Sequence, residues 1–327
     1  MFMNSPPEIA REYVEYSMKQ VRLPIPKLVI LSIYAGFYIS SGAICSLACS
    51  YRLTGGDGRF YGGLVSPIGL MLCLCAGAEL FTANCMLIIP LFCKKIFVAD
   101  MLINWLISFL GNFIGGLIMA LLIVYGHVTH LFDYALASYL VTIGEEKCSL
   151  SFGDAFVQGM LCNFCLCLSV WLSFGAKDLF SKIAALWTPF ALFSACGYEH
   201  VVANMFYIPG ALFAASDYDL VKVNLSWGRY FYKNLIPVLL GNLVGGVILM
   251  GFGYWYIYLT PDNCCSNKNN DIIPIDKNVP VPEMNNQPEI INQNNDSQLS
   301  KCNMSENDYL KFLKEKSKNN PKLITEL

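Results

Sequence analysis

Apolar positions along this chain come in long runs rather than at the spacing of amphipathic helices. A bilayer-spanning helix needs about 20 consecutive apolar residues. Runs of that kind lie at roughly 28–50, 64–92, 98–126, 152–174, 183–214 and 234–259. They predict an all-α integral membrane protein with six transmembrane helices. The second and fifth runs are irregular. LVSPIGLMLCLCAGAELFTANCMLIIPLF carries Pro67, Glu79, Asn84 and Pro90, and IAALWTPFALFSACGYEHVVANMFYIPGALF carries Pro189, Glu199, His200, Asn204 and Pro209. Helix breakers and polar groups at that depth are tolerated only where the backbone is buried in protein or lines a cavity. Both runs are therefore expected to be broken helices.

The two irregular runs resemble each other. Glu79-Leu-Phe-Thr-Ala-Asn84 aligns with Glu199-His-Val-Val-Ala-Asn204, each reading Glu, three residues, then Ala-Asn. The runs that follow match as well: WLISFLGNFIGGL at 105–117 and NLIPVLLGNLVGGV at 234–247 both read LGN, two residues, GG. Two copies of three spans each must insert in opposite senses, which makes an inverted repeat whose broken helices mark the transport site. The glycines Gly111, Gly115, Gly116, Gly241, Gly245 and Gly246 suit close helix packing, and packing alone accounts for them.

Outside the runs the chain is polar. Residues 1–26 hold a helix that starts with a serine cap and prolines, Ser5-Pro-Pro-Glu8. That helix is short and amphipathic, and is expected on the cytoplasmic face. Residues 27–260 form the membrane domain. Residues 261–327 are rich in Asn, Lys and Pro and read as a disordered cytoplasmic tail, with a short helix near 305–316. An N-in arrangement places Arg11, Lys19, Arg22, Lys27, Lys94, Lys95, Lys177 and Lys182 inside, against Arg52, Arg59, Lys147, Lys222, Arg229 and Lys233 outside. This surplus favours cytoplasmic termini, in the plasma membrane.

Composition agrees. The chain has 327 residues, 55% hydrophobic and only 14% charged, where soluble domains carry about 25% charged residues. The net charge of −2 gives nucleic acid no reason to bind. Most of the fourteen cysteines lie in apolar runs and read as small hydrophobes. They indicate neither a disulfide framework nor a metal site, and no cofactor is expected.

Three motifs are similar to those of the formate/nitrite transporter family, in its eukaryotic, protozoan-like branch. They are Gly77-Ala-Glu-Leu-Phe-Thr-Ala-Asn84, Gly159-Met-Leu-Cys-Asn-Phe-Cys-Leu-Cys-Leu168 and Gly197-Tyr-Glu-His-Val-Val-Ala-Asn204. Ala83 and Ser169 depart from the usual small residues, and the Asn-rich tail lies outside the resemblance. The resemblance implies a homopentamer of aquaporin-like protomers, each with its own pore. It implies proton-coupled passage of weak-acid anions such as formate, acetate, lactate and nitrite.

The residues fit that chemistry. A charged carboxylate at mid-membrane costs several kcal/mol unless compensated. An imidazole, with an ordinary pKa of about 6.5, can donate a hydrogen bond or exchange a proton. His200 is therefore expected to meet the anion, with Thr82 as a second donor. Glu79, Asn84, Glu199 and Asn204 are expected to hold the broken helices, the glutamates by accepting from freed backbone N–H groups. Asn163 is expected to do the same, or to position His200.

Further roles follow from the resemblance. Lys147 matches a lysine of the outer vestibule, where it would attract anions; the plainer reading is a solvated loop lysine. Lys19 and Arg22 are the candidates for a basic residue at the inner entrance. Leu70, Cys73 and Leu80 would line the cytoplasmic constriction, and Leu166 and Phe193 the outer one. Ser66 stands where relatives have a bulky aromatic, so the outer gate is expected to be wider and to admit two- and three-carbon acids. A neutral-solute pore of aquaporin type lacks its paired Asn-Pro-Ala motifs here. An intramembrane enzyme using Glu199 and His200 lacks a nucleophile motif.

Overall fold

A computed structural model describes residues 3–53, 56–220 and 223–260. The Asn-rich tail, the helix expected near 305–316 and the Cys264-Cys265 pair lie outside the described residues. Among the described residues all regular structure is helical.

The chain opens with α1 (Pro6–Gln20). Glu8 reaches back to the helix start and accepts from both the backbone N–H and the hydroxyl of Ser5, at 2.7 and 2.6 Å. That contact satisfies one of the donors a helix start leaves free. The apolar face of α1 is not left to lipid. Ile9, Ala10, Tyr13 and Val14 are buried, Tyr13 meets Phe174 edge to face, and Asn4 donates to the Phe174 carbonyl. The partner of this face is protein.

The apolar runs form α2 (Ile25–Ser50), α3 (Gly56–Val65), α4 (Ile68–Ala76), α5 (Phe81–Phe92, with one tighter 3-10 turn), α6 (Val98–Tyr125), α8 (Phe152–Ser173), α9 (Leu179–Ala195), α10 (Val201–Asp217) and α11 (Trp227–Tyr258). Two elements exceed the expectation. The second run begins earlier, at Gly56, where Asp57 and Arg59 had masked the helix. A further helix, α7 (Ala135–Ser149), packs along α10 where a loop was expected.

The interruptions fall at glycines rather than at prolines. Pro90, Pro189 and Pro209 sit inside helices, and only Pro67 marks a boundary, between α3 and α4. Helix α4 stops at Gly77 and α9 just before Gly197, both left-handed at φ 83° and 73°. Each stop is closed by the same six-to-one bond, Ala78 N–H to the Cys73 carbonyl and Tyr198 N–H to the Phe193 carbonyl. The chain then runs extended through Leu80 and His200 before α5 and α10 begin.

Close packing fixes these pieces in place. A Cβ on Gly115 would collide with the Ile33 carbonyl, and one on Gly241 with the Phe156 carbonyl. Helix α6 thus lies directly on α2, and α11 directly on α8, at equivalent LGN-x-x-GG segments. The last helix relaxes into wider π turns over Tyr230–Leu235 and Val244–Phe252.

Candidate functional site

Two matched hydrogen-bonded cages hold the two interruptions. In the first, Asn112 of α6 accepts from the Phe81 N–H at 2.9 Å and donates to the Ser32 and Glu79 carbonyls. In the second, Asn242 of α11 accepts from the Val201 N–H at 3.0 Å and donates to the Gly159 and Glu199 carbonyls. One buried amide side chain in each cage thus serves the backbone groups that the interruption frees. The glutamates do something else than expected. Their carboxylates accept from side chains, not from backbone. Asn84 donates to Glu79 and to Asn104 at 2.8 Å each, while Asn204 donates to Glu199 at 2.7 Å and to Asn234 at 2.8 Å. Each Glu–Asn pair is thereby tied to the next long helix.

The asparagines Asn104, Asn112, Asn234 and Asn242 were missed as site residues. The signal was present, because Asn112 and Asn242 are the N of the two LGN motifs.

The cages differ in one partner each. The amide of Gln20, at the end of α1, lies 3.2 Å from both oxygens of Glu79. Lys147 Nζ lies 2.7 Å from a Glu199 oxygen and 5.4 Å from the centre of the Tyr207 ring. Lys147 belongs to the last turn of α7 and is largely buried, so it is neither in a loop nor freely solvated. Lys19 is exposed and Arg22 half-buried, and the residue of this segment that reaches the interruption is Gln20, between them.

Leu80 and His200 occupy equivalent extended positions and are 1% and 3% exposed. His200 Nε2 lies 2.9 Å from the Thr82 hydroxyl, which joins one interruption directly to the helix that restarts after the other. His200 Nδ1 is buried without a hydrogen-bond partner among the described residues. The pair carries one spare hydrogen in either tautomer. If Nε2–H donates to Thr82, the threonine O–H is free; if Thr82 donates to Nε2, Nδ1–H is free.

A cleft of about 370 Å3 is lined by His200, while the fully buried Thr82 is not among its lining residues. Its lining includes the exposed Arg59 and Glu146, and Lys147, Tyr198, Ser66, Phe190, Phe193 and His200. Phe190 and Phe193 lie 6.3 and 6.2 Å from the imidazole, centre to centre. Phe193 thus lines the cleft with Ser66, and Phe190 joins them unforeseen. Ser66 does not simply leave a gap: its hydroxyl is 2.6 Å from that of Ser194. Leu70, Cys73, Leu80 and Leu166 are fully buried and are not among the residues lining this cleft. Asn163 stays with its own copy, donating to the Asn242 carbonyl at 2.7 Å rather than touching His200. Among the described residues no cluster of three or more His, Cys, Asp or Glu is arranged to hold a metal.

Long apolar helices around a buried histidine, reached by a cleft, define a multi-pass membrane protein with a polar pair at the core. Residues 7–256 match the family described as Formate/nitrite transporter. The chain is 38% identical to an uncharacterized transporter, YrhG, of Bacillus subtilis, over 80% of this chain and 96% of that protein. It is 34% identical to the formate channel BtFdhC of Bacillus thuringiensis, over 79% and 97%. Formate-nitrite transporter 3 of Toxoplasma gondii is 32% identical, over 86% of this chain and 56% of that one. Among solved structures, an "FNT family ion channel" superposes with a TM-score of 0.70 at 27% identity, covering 76% of this chain and 98% of its own. A pentameric formate channel with formate bound superposes at 0.63 and 28% identity, over 72% and 98%. The chain belongs to the formate/nitrite transporter family, which places it among transporters rather than enzymes.

Replacing Asn242 by Ala strands the Val201 N–H and the Glu199 carbonyl, and removes a second donor from the Gly159 carbonyl inside α8. A buried unsatisfied group costs about 1–3 kcal/mol. Asn242→Ala is expected to lower thermal stability in detergent by several degrees, and Asn112→Ala to do so comparably. An unchanged melting temperature for both variants would contradict the cage role.

Proposed function

We propose that this chain carries small weak-acid monovalent anions, formate above all, across a membrane together with a proton. The single observation that carries the reading is the Thr82–His200 pair, whose histidine lines the cleft, with its one spare hydrogen. Each protomer has six spans in two inverted three-helix units, with the second and fifth spans interrupted. Five protomers assemble, each with its own path. Both termini face the cytoplasm of a cell whose plasma membrane holds the protein. The pentamer is supported by the solved formate channel described as pentameric, and the anion by relatives named as formate channels.

The mechanism follows from local chemistry. An anion enters the cleft past Arg59 and Lys147, whose positive charges favour it. Glu199 holds Lys147 in place, so the attraction is modest and oriented rather than that of a free cation. The carboxylate then accepts the spare hydrogen bond of the Thr82–His200 pair. The interruptions aim helix starts toward this point, and those starts carry partial positive charge. A proton reaching the imidazole passes to the anion, which becomes a neutral acid. Only the neutral acid crosses the apolar constriction formed by Leu70, Cys73 and Leu80, because a charge there costs several kcal/mol. Leu166 and Phe193 form the constriction on the cleft side. A neutral-solute pore is the second reading, and it has no use for the buried imidazole.

Uptake of labelled formate into proteoliposomes tests the proposal. An inward proton gradient is expected to accelerate it. His200→Ala is expected to reduce it at least tenfold while the oligomer still assembles. Normal uptake by assembled His200→Ala would remove the histidine from the mechanism. Glycerol flux without formate flux would favour the neutral pore. Lys147→Ala leaves the buried Glu199 without its cation, and breaking a buried pair costs about 3–5 kcal/mol. The variant is expected both to melt earlier and to show a raised apparent KM for formate. A KM unchanged at low salt would count against a role in capture.

A further inference from the structure

The loop between α6 and α7 carries chemistry that the cleft does not use. His127 and His130 flank a short 3-10 turn, Val128–His130, and residues three apart eclipse in such a turn. Their rings stack at 4.3 Å between centres, 29° from parallel. His130 also lies 4.3 Å from the Tyr134 ring and 5.8 Å from that of Tyr218, just beyond α10. Thr129, buried in the same turn, shares a 3.1 Å hydrogen bond with the Tyr218 hydroxyl.

The backbone around this stack is held in a disfavoured shape. His127, Phe132, Asp133 and Tyr134 are all left-handed, at φ 61°, 61°, 58° and 66°, and none is glycine. Residues with a Cβ keep that conformation only where contacts impose it. One such contact is the stack with Tyr134 and Tyr218. The other is Phe132, whose ring stacks on Tyr51 at 4.9 Å. The Arg52 guanidinium lies 5.5 and 5.8 Å from the centres of those two rings, and Arg52 is itself left-handed at φ 68°. Tyr51 in turn meets Tyr139 at 6.0 Å, and the Tyr139 hydroxyl donates to that of Ser50 at 3.3 Å. Tyr139 and Ser50 line the cleft, so the clamped loop backs its wall.

Protons can turn the stack against itself. His127 is exposed and His130 half-buried, so both are within reach of solvent. Imidazoles change charge between about pH 5 and 8. Two neutral rings stack, whereas two imidazolium rings at that distance repel, which in water alone shifts an equilibrium about fivefold. The groups around them offer no bonded countercharge. Tyr134 and Tyr218 are phenols, as is Tyr125 at the end of α6. Asp133 lies in the loop, Asp217 and Asp219 flank Tyr218, and α7 presents Glu145 and Glu146 only in its last turns. The ion pairs Lys147–Glu199 and Lys177–Glu12 involve neither imidazole.

We propose that the His127–His130 stack is an acid-released latch. With both rings charged the stack opens, the left-handed loop relaxes, and the cleft wall behind Tyr51 and Tyr139 loosens. The latch goes beyond the transport reading and holds whichever solute the cleft passes.

Hydrogen exchange of the full-length protein in detergent, corrected for intrinsic rates, tests it at about pD 7.5 and 5.5, within the imidazole range. In wild type, amides of 126–139 and of 47–53 are expected to exchange about fivefold faster or more at the lower value, while the α6 segment 105–117 stays protected. His130→Phe keeps a ring against His127, Tyr134 and Tyr218 but takes no proton. That variant and His127→Phe are each expected to abolish the acceleration. Wild type whose loop exchanges alike at both values would overturn the latch. So would acceleration that persists in both variants, which would move the acid response to Asp133, Asp217 or Asp219. Acceleration of 126–139 with 47–53 unchanged would overturn the link to the cleft wall. The measurement needs no flux, so failure of the transport reading leaves it decisive for the latch.

Discussion

A helix interrupted in apolar surroundings leaves N–H and C=O groups with no water to turn to, and everything distinctive in this protein answers that constraint. Asn112 and Asn242 each bridge an interruption, accepting from the first N–H of the restarting helix and donating to two carbonyls. Around them, Asn84 and Asn204 bind the neighbouring glutamates and fix each short helix to the long one that follows. The glycine-lined contacts of α6 on α2 and of α11 on α8 set the distance at which these asparagines can reach. Backbone satisfaction, side-chain cages and helix packing are thus one arrangement, made twice.

The proposed function resides where the two copies differ. Leu80 and His200 occupy the same backbone position, and so do Thr82 and Val202. The polar member of one mismatch pairs with the polar member of the other, at 2.9 Å. The glutamates are matched as well, but one is held by the neutral amide of Gln20 and the other by the cation of Lys147. Among the described residues the second cage borders the cleft, through Lys147, Glu199 and Asn204, and the first does not. Symmetry provides the scaffold, and the departures from it would give the proposed path a polarity.

Much of this was legible in the chain. The apolar runs mark the long helices because membrane spans need sustained hydrophobicity. The doubled Glu-x-x-x-Ala-Asn and Leu-Gly-Asn-x-x-Gly-Gly segments announce the matched cages. What could not be read was which atom faces which. Glu79 and Glu199 were assigned to backbone donors because sequence adjacency suggests local bonds, whereas their partners are side chains, local ones from Asn84 and Asn204 and distant ones from α1, α7 and α11. Lys147 looked like a loop residue because α7 is only modestly apolar. Gln20 was passed over because a neutral amide stands between two cations. The Ser66–Ser194 contact joins residues 128 apart in the chain and has no local signature. The helix stops fall at Gly77 and Gly197, since only a left-handed residue closes the six-to-one cap.

The central claim is that an anion receives its proton at the Thr82–His200 pair and crosses the apolar constriction as a neutral acid. Charge moved per labelled formate, recorded on a protein-bearing membrane without a proton gradient, tests it most directly. The account predicts formate flux with no net charge transferred. One negative charge carried with each formate would contradict it.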